Sequence, residues 1–530
     1  MERLNADFKR TCKIIFGQEI GELSEFAPYL KEMMFPHKLV KSSVSGKPVI
    51  VSSHHYADSA TYVSQDEVEK RRVSPLDIND IKDIDSLFEA ASERAVFCGN
   101  KLFGKNVNVS EGDNIADCID VLHSHDIYNS KYVAYCSIGR VSDSIYGVSI
   151  FWKCNHAIRC SECTFSGAQR CFECYYSTGI SDSYFTFNCT GCQNCMFCFN
   201  LRGKNYMVGN LQLPKERYLE LKQKLISEMA EKLKADKRLF SMGDIARLSV
   251  EDEKTEEIEM QPNIISKEVE SAFAATSRIL LGRVHKSSRL APWLMGRPIG
   301  RKKIIGGGSL PTYKVESPTG RQIGRGRLVT FDEALRSASN SIIISESELP
   351  SLHEIAKRAA QKAVFSLEFL EGQNQNTGET VLAFNSTDVY RVWWSLISKS
   401  SAYSTVVTES EHIFGGYGRN IFSKFCISCD NMTYSSNCFE CDSCYKCRNC
   451  YFCHNCENVE EGLFCFNAKG LRYAILNQQL PKEEYLRIKK MLLDYINSEL
   501  ESKGRLAVSI FSMRPPTSAR PQALPTGPQA

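Results

Sequence analysis

The chain has 530 residues and a formal net charge of +3, with 43% hydrophobic and 24% charged residues. This composition is ordinary for a globular protein, and the length predicts two to four domains. Residues 1–23 carry charges throughout, which argues against a signal peptide, and no apolar run approaches the roughly 18 residues that a membrane helix needs. We therefore expect a soluble cytoplasmic protein with no membrane partner.

The sequence contains an internal duplication. CFNLRGKNYMVGNLQLPKERYLELKQKL at residues 198–225 matches CFNAKGLRYAILNQQLPKEEYLRIKKML at residues 465–492, and CFEC at residues 171–174 returns at residues 438–441 with the same spacing. Upstream phrases repeat with nearly the same spacing, as small insertions would produce. Two homologous copies of one unit therefore follow each other along the chain.

Each copy predicts the same series of elements. N-terminal helices come first, followed by a mixed region with β-branched stretches, a short amphipathic helix, a cysteine-rich zone and a closing helix. Residues 251–265 are charged and lack apolar periodicity, which predicts a linker, and the proline-rich residues 513–530 predict a disordered tail. The first copy is predicted to span residues 1–250, with its cysteine-rich zone at about 118–200 and its closing helix at about 214–235. The second copy is predicted to span residues 266–512, with its cysteine-rich zone at about 411–467 and its closing helix at about 481–501.

In the second copy, CFECDSCYKCRNCYFCHNC at residues 438–456 has a cysteine at every third position. A period of three suits neither a flat strand nor a long helix, but it suits a chain that turns corners between short straight pieces. Small polar residues and aromatic residues separate the cysteines, which is typical of many short strands. We therefore predict an α+β fold of two tandem homologous units, each with a β-solenoid-like zone of stacked short strands.

The 23 cysteines admit several chemical states. In a reducing compartment, such density indicates buried thiols or metal ligands more than disulfides. Two CxxC pairs across a short loop can supply four thiolates to zinc, and this arrangement occurs in both copies. An iron–sulfur cluster is a weaker alternative, because no cysteine is followed by proline. The expected cofactor is therefore none or structural zinc, and the zinc ligands would be Cys160, Cys163, Cys171, Cys174, Cys426, Cys429, Cys438 and Cys441.

These phrases carry a family resemblance. The CFEC motifs, the CFNLRGK and CFNAKG phrases and the LPKExYL helix resemble cysteine-rich repeat proteins of small-genome microbes and tailed viruses. The resemblance covers the cysteine-rich zone and the closing helix of each copy. It implies a repeat architecture and favours a role in assembly.

A basic segment lies in the second copy. Between Arg283 and Arg327 there are eleven lysines and arginines and one acidic residue, Glu316. Glycine-spaced arginines suit contact with phosphates, although a subunit contact or a solvated surface also fits. The candidate phosphate-binding or partner-binding residues are Arg297, Arg301, Lys302, Lys303, Arg321, Arg325 and Arg327.

The sequence has no GxxxxGK[ST], GxGxxG, HExxH or GxSxG motif, so we predict no enzymatic activity and identify no small-molecule substrate. The histidines, His454 beside the cysteine run among them, are interpreted as structural. We expect a structural or assembly protein that binds protein partners or itself, such as a component of a virion or of another large particle or complex. The alternative is a zinc-stabilised nucleic-acid-binding protein that uses residues 283–327.

Overall fold

The computed structural model describes residues 1–53, 55–70, 77–152, 154–247, 256–258, 265–296, 300–408, 414–415, 420–421, 427 and 435–513. The chain forms two compact units, and each is made of three segments. Unit 1 contains Met1–Pro36, Leu102–Pro262 and Ile299–Glu371. Unit 2 contains His37–Lys101, Asn263–Pro298 and Gly372–Ala530.

Each unit therefore draws on both copies of the duplicated sequence. Residues 37–101 of the first copy belong to unit 2, and residues 299–371 of the second copy belong to unit 1. We call these two stretches the middle segments. They occupy equivalent positions in the two copies, so the copies have exchanged the same part.

The helices recur in the same order in the two copies. Helices α1 and α6 begin the copies, α3 and α10 lie in the middle segments, and α4 and α11 close the copies, each following a proline. The α-helices of the described residues are α1 (Glu2–Phe16), α2 (Ala27–Lys31), α3 (Ile84–Arg94), α4 (Lys215–Asp236), α5 (Met242–Arg247), α6 (Lys267–Leu281), α7 (Ser287–Leu294), α8 (Pro318–Gln322), α9 (Phe331–Arg336), α10 (Leu352–Lys362) and α11 (Lys482–Lys503). Turns of 3₁₀ helix occur at Leu23–Phe26, Gln65–Lys70, Ile78–Asp80, Arg325–Arg327 and Ser337–Ser339.

Most strands are short, and most of their pairings are parallel. The strands up to residue 212 are β1 (Lys38–Lys41), β2 (Pro48–Val51), β3 (Tyr62–Ser64), β4 (Phe97–Gly99), β5 (Leu102–Phe103), β6 (Val107–Ala116), β7 (Ile119–Tyr128), β8 (Lys131–Ala134), β9 (Ser137–Arg140), β10 (Asp143–Tyr146), β11 (Ser149–Trp152), β12 (Asn155–Ile158), β13 (Ser161–Tyr175), β14 (Thr178–Ser181), β15 (Tyr184–Phe187), β16 (Gln193–Phe199), β17 (Asn205–Val208) and β18 (Leu211–Gln212). The later strands are β19 (Glu256–Ile258), β20 (Arg301–Ile305), β21 (Pro311–Val315), β22 (Phe369–Glu371), β23 (Gln375–Gly378), β24 (Leu382–Phe384), β25 (Thr387–Tyr390), β26 (Trp394–Leu396), β27 (Val406–Thr408), β28 (Asn420–Ile421), β29 (Arg448–Tyr451), β30 (Glu460–Leu463), β31 (Arg472–Ile475) and β32 (Gln478–Gln479).

In unit 1 the hydrogen-bonded order of strands closes on itself. The first half of β7 pairs with β8 and its second half pairs with β9. One path then runs through β8, β10 and β12 to β13, and the other runs through β9 and β11 to β13. Strands β5, β6, β14 to β17 and the antiparallel β18 extend the sheet outside this closed part.

This closure corrects the predicted fold class. The structure has a closed, parallel, barrel-like sheet with further strands outside it and helices around it, which is a barrel-like α/β fold. The predicted α+β fold of two tandem units with β-solenoid-like zones is wrong. The physical reason is that β7 and β13, with 10 and 15 residues, are long enough to pair with two strands in succession. Paths that separate at β7 therefore meet again at β13.

Unit 2 also contains mainly parallel pairs. Strands β24, β26, β27 and β28 pair in that order, and β23 pairs with β25. Strands β29, β30 and β31 form a second parallel set that ends in the antiparallel β32. In the middle segment of this unit, β1 pairs antiparallel with β2 and β3 pairs parallel with β4.

The period of three in the cysteine runs has its origin in the backbone. The residue before each cysteine from Cys438 to Cys456 has a positive φ, between 50° and 55°. Such a conformation is uncommon for residues other than glycine, and asparagine tolerates it best. Each left-handed residue turns the chain, so the next residue that points to the interior comes three positions later.

Side chains at these left-handed positions bond to each other twelve residues apart. Asn455 donates to Asn467 at 2.8 Å, and Asn437 donates to Asn449 at 3.1 Å. In unit 1, Asn188 donates to Asn200 at 2.8 Å. These amide pairs hold parallel strands in register, because the same twelve-residue step separates their paired backbones.

A substitution at Asn458 tests the backbone constraint. This residue is exposed and has a φ of 53°. We expect Asn458→Val to lower the free energy of unfolding by about 1–2 kcal/mol, because a β-branched side chain is strained in this conformation. Asn458→Gly is the matched control and should leave stability unchanged or slightly higher. Urea denaturation followed by circular dichroism measures both, and equal stability of the two variants would contradict the prediction.

Candidate functional site

The cysteines of the cysteine-rich zones point into the interior of their units. All twenty cysteines whose side chains are described are buried and none forms a disulfide. In unit 1, those of the zone pack with aliphatic residues such as Val121 and Ile145. In unit 2, Cys438, Cys441, Cys444, Cys447, Cys450, Cys453, Cys456 and Cys465 form most of one core cluster. We call these two clusters the thiol interiors.

Most of these thiols lie within hydrogen-bond distance of two backbone carbonyl oxygens. The Sγ of Cys118 is 3.1 Å from the oxygen of Ala116 and 3.6 Å from that of Ile127. In unit 2 the Sγ of Cys441 is 3.4 Å from the backbone oxygen of Phe439 and 3.3 Å from that of Cys450. The partners of such a thiol lie two residues before and nine residues after the cysteine, so the thiol links adjacent turns of the chain.

Burial favours the protonated form of these thiols, and it raises the pKa of the Cys136 thiol to about 12 and raises that of Cys441 as well. Hydrogen bonds from neighbouring thiols act in the opposite direction and lower the pKa of Cys174, Cys192, Cys444 and Cys450. Because the thiolate is the nucleophile and the metal ligand, a protonated and hydrogen-bonded thiol is unreactive. The chemistry of the thiol interiors in this state is that of a small, weakly polar filling.

The predicted zinc ligands are distributed over these interiors. Cys160, Cys171 and Cys174 are buried together in unit 1, and their thiols donate to the carbonyls of Ile158, Gln169 and Phe172. Cys438 and Cys441 are neighbours in unit 2. The side chain of Cys163 and all of Cys426 and Cys429 lie outside the described residues. Within the described part of the chain, no group of three or more histidine, cysteine or acidic side chains is arranged to hold a metal ion. Structural zinc stays a prediction.

The predicted basic segment is divided between the units. Arg283, Lys286 and Arg289 belong to unit 2, whereas the residues from Arg301 onward belong to unit 1. Arg301, Lys302 and Lys303 lie on β20, which is the central strand of an antiparallel sheet with β19 and β21. Arg321 lies on α8, and Arg325 and Arg327 lie on the following 3₁₀ turn. Arg297 is outside the described residues.

Several of these cations already have partners inside the protein. Glu257 on β19 is 2.9 Å from Lys302 and 3.1 Å from Arg325, and Arg321 is 3.6 Å from Glu316. Arg327 donates to the backbone oxygen of Ala363 at 3.1 Å, and burial lowers its pKa. Glu257 comes from outside the linear segment, so the structure reduces a positive charge that the sequence alone overstates.

A buried polar cluster of unit 2 was not predicted from the sequence. Tyr56 donates to Asp442, and His454 Nδ1 lies 2.9 Å from Asp442 Oδ2. The backbone N–H of Cys98 donates to His454 Nε2 at 2.8 Å, so this nitrogen carries no proton and Nδ1 donates to Asp442. Lys101 donates to the backbone oxygen of Cys98 at 3.0 Å. We call Tyr56, Lys101, Asp442 and His454 the seam cluster, because Tyr56 and Lys101 come from the middle segment.

The electrostatics of the seam cluster are closely balanced. Lys101, Asp442 and His454 are each at most 1% exposed. Burial acts to raise the pKa of Asp442, but hydrogen bonds from His454 and Tyr56 and the charge of Lys101 hold it below its ordinary value. Both ring nitrogens of His454 are engaged, so the imidazole orients Asp442 and the Cys98 backbone, with neither nitrogen directed at an external group.

Unit 1 has a different arrangement at the equivalent positions. Tyr175 and Phe187 stand where the second copy has Asp442 and His454, 267 residues further on. Tyr175 donates to Glu173 at 2.7 Å, and Glu173 is 3.1 Å from the fully buried Arg159. Burial raises the pKa of Glu173, while Arg159 acts in the opposite direction. Comparing the two copies position by position is the signal that could have revealed the seam cluster, since two aromatic residues are replaced by an acid and a histidine.

A second buried acid of unit 1 contacts the middle segment there. Glu162 on β13 is 2% exposed, and Ser317, the N-cap of α8, donates to its Oε1 at 3.3 Å. The neighbouring Thr319 donates to Ser161 at 2.9 Å. Burial raises the pKa of Glu162 to about 7.

No protein-family model matches this chain, and comparisons with curated proteins and with solved structures found no match. Among the described helices, none combines the length and apolar character that crossing a membrane requires.

Glu162 gives stability a pH dependence. Its pKa is about 7 in the folded protein and 4.5 as the ordinary value, so the folded state binds the proton more tightly than the unfolded state. The resulting stabilisation is complete below about pH 4.5 and is lost as the pH rises through about 7. In the unmodified protein, the free energy of unfolding should therefore fall by up to about 3 kcal/mol between about pH 4.5 and pH 7, and we expect this fall to be absent in Glu162→Gln.

The control for this measurement is Glu268→Gln, at an exposed position of α6. Urea denaturation of both variants and the unmodified protein between pH 4.5 and pH 8 gives the comparison. A pH profile of Glu162→Gln that superimposes on that of the unmodified protein would contradict the assignment.

Proposed function

We propose that this protein is a non-enzymatic structural or assembly protein, whose duplicated cysteine-rich units form rigid bodies that associate with protein partners or with further copies of the chain. The observation that carries the proposal is the internal use of its reactive side chains. Thiols that could act as nucleophiles donate to backbone carbonyls, and His454, which could act as a base, uses both ring nitrogens within unit 2. An enzyme needs such groups directed at a substrate.

The energetics of the interior support the same proposal. Buried groups that are fully hydrogen-bonded make a core rigid and specify one arrangement. The seam cluster and the hydrogen bonds from thiols to carbonyls supply this rigidity in unit 2, and the same thiol hydrogen bonds supply it in unit 1. A rigid body with a chemically inert interior suits a mechanical or structural role.

Sedimentation velocity of the purified protein tests this proposal. Over a wide range of concentrations and under reducing conditions, we expect association into a species larger than the 59.8 kDa chain, and no change on adding a chelator. Elemental analysis of the same sample should find no stoichiometric metal. A chain that stays monomeric at every concentration and unfolds with chelator would contradict the proposal.

The second candidate function is zinc-stabilised binding of nucleic acid. The observation that favours it is β20, which places Arg301, Lys302 and Lys303 next to each other on a sheet, with Lys302 exposed. Against it stands Glu257, which contacts two of the cations of this region. Nucleic-acid binding at β20 therefore depends on the positive charge that Glu257 leaves around Lys302 and Lys303.

Charge reversal tests the second candidate. If β20 contacts phosphates, Lys302→Glu with Lys303→Glu should weaken the binding of double-stranded DNA strongly and reduce the slope of log affinity against log salt by about 2. The control is Lys232→Glu with Lys234→Glu, which changes the charge equally at exposed positions of α4. Fluorescence anisotropy at several salt concentrations measures both variants. Equal affinity of the two variants would remove β20 from the hypothesis.

A further inference from the structure

The middle segments are held in their units by equivalent contacts. In unit 2, Asn467 donates to the backbone oxygen of Val96 at 3.0 Å. In unit 1, Asn200 donates to the backbone oxygen of Val364 at 3.1 Å. Asn200 and Asn467 are the same position of the two copies, and so are Val96 and Val364 apart from one inserted residue. Each copy therefore uses one asparagine to hold the middle segment of the other copy.

Aromatic packing repeats the same relation. Phe97 packs edge-to-face against His454 and Phe466 in unit 2, with ring centroids 5.3 and 5.9 Å apart. Phe365 packs against Phe187 and Phe199 in unit 1, at 5.0 and 5.5 Å. Helix α3 adds Phe88, whose ring lies 5.5 Å from Phe464 in unit 2. These rings are buried, so the middle segment is part of the core of its unit.

The polar contacts are specific to the exchanged arrangement. Tyr56 belongs to the first copy, whereas its partners Asp442 and His454 belong to the second copy. If residues 37–101 stayed with their own copy, Tyr56 would meet Tyr175 and Phe187 instead. Asp442 and His454 would then be buried without Tyr56, and buried polar groups that lose partners are destabilising. The differences between the copies therefore favour exchange over the unexchanged fold.

We infer that the two copies are obligate binding partners of each other, interlocked through the reciprocal exchange of residues 37–101 and 299–371. For the first exchanged segment the chain passes from unit 1 to unit 2 at residues 36–37 and back at residues 101–102, and for the second it passes from unit 2 to unit 1 at residues 298–299 and back at residues 371–372. The peptide connection between the copies is then unnecessary for holding them together. Each copy binds the middle segment of the other copy. This inference goes beyond the proposed function and does not depend on it.

Cleavage of the intact chain between the copies tests the inference. A recognition site for a specific protease is inserted between residues 259 and 264, and the purified full-length protein is cut under native conditions. We expect the two fragments to remain a 1:1 complex with the mass of the uncut chain in native mass spectrometry, and to separate in denaturant. Fragments that separate in native buffer would overturn the inference.

A second measurement distinguishes interlocking from simple contact between folded neighbours. Labelled and unlabelled cut proteins are mixed, and the replacement of fragments is compared with unfolding followed by circular dichroism. Interlocked fragments exchange partners no faster than they unfold, because each unit contains segments of both fragments. Asn467→Ala should speed this replacement by about fivefold more than Asn458→Ala does, because both substitutions remove an asparagine from a left-handed position but only the first also removes the bond to Val96. Rapid replacement with an unchanged spectrum would overturn the inference.

The uncut chain provides an independent check that needs no insertion. Tyr56→Phe, Asp442→Asn and the double variant are compared by their urea denaturation midpoints. Because the exchanged fold places Tyr56 against Asp442, the shift of the double variant should be smaller than the sum of the two single shifts. Additive shifts would mean that the two residues are not in contact, and would overturn the inference.

Discussion

The left-handed backbone conformation that recurs at every third residue is the constraint on which the rest of the structure depends. It turns the chain after two extended residues, so interior positions come three residues apart and parallel pairing is repeated twelve residues later. Asparagine is frequent at these turning positions because its short side chain tolerates the conformation, and it bonds to the asparagine one step along. The cysteine spacing is a consequence of this geometry.

The narrow interior that results favours small side chains. Cysteine fills such a space, and a thiol such as that of Cys441 lies within hydrogen-bond distance of two carbonyl oxygens, so it packs densely while its polar group has partners. In unit 2 the turning positions that follow β29 and β30 carry Phe452 and Phe464, which stack at 5.0 Å and belong to the core cluster that includes the helices. One side of the chain thus builds the interior, and the other side binds the elements that cover it.

The covering elements include a segment from the other copy, and this explains why buried acids lie where the segments meet. Asp442 and Glu162 each contact a middle segment, the first through Tyr56 and the second through Ser317. A buried acid is costly unless its partners are in place, so such contacts discriminate between correct and incorrect packing. They give the exchanged arrangement a specificity that hydrophobic burial alone would not supply.

The sequence by itself determined the duplication, the turning of the chain at every third residue and the closing helices, because each depends on local patterns: repeated phrases, cysteine spacing, and a proline before an apolar stripe. Only the tertiary structure decided the closure of the sheet at β13, the pairing of Lys302 on β20 with Glu257 and the seam cluster, since these join residues far apart in the chain. The tertiary structure also decided the exchange of the middle segments between the two copies. In a duplicated chain, the apolar pattern of each middle segment fits the cysteine-rich zone of either copy. Local sequence patterns therefore cannot tell which copy a middle segment packs against, and long-range polar contacts such as that of Tyr56 with Asp442 select one pairing.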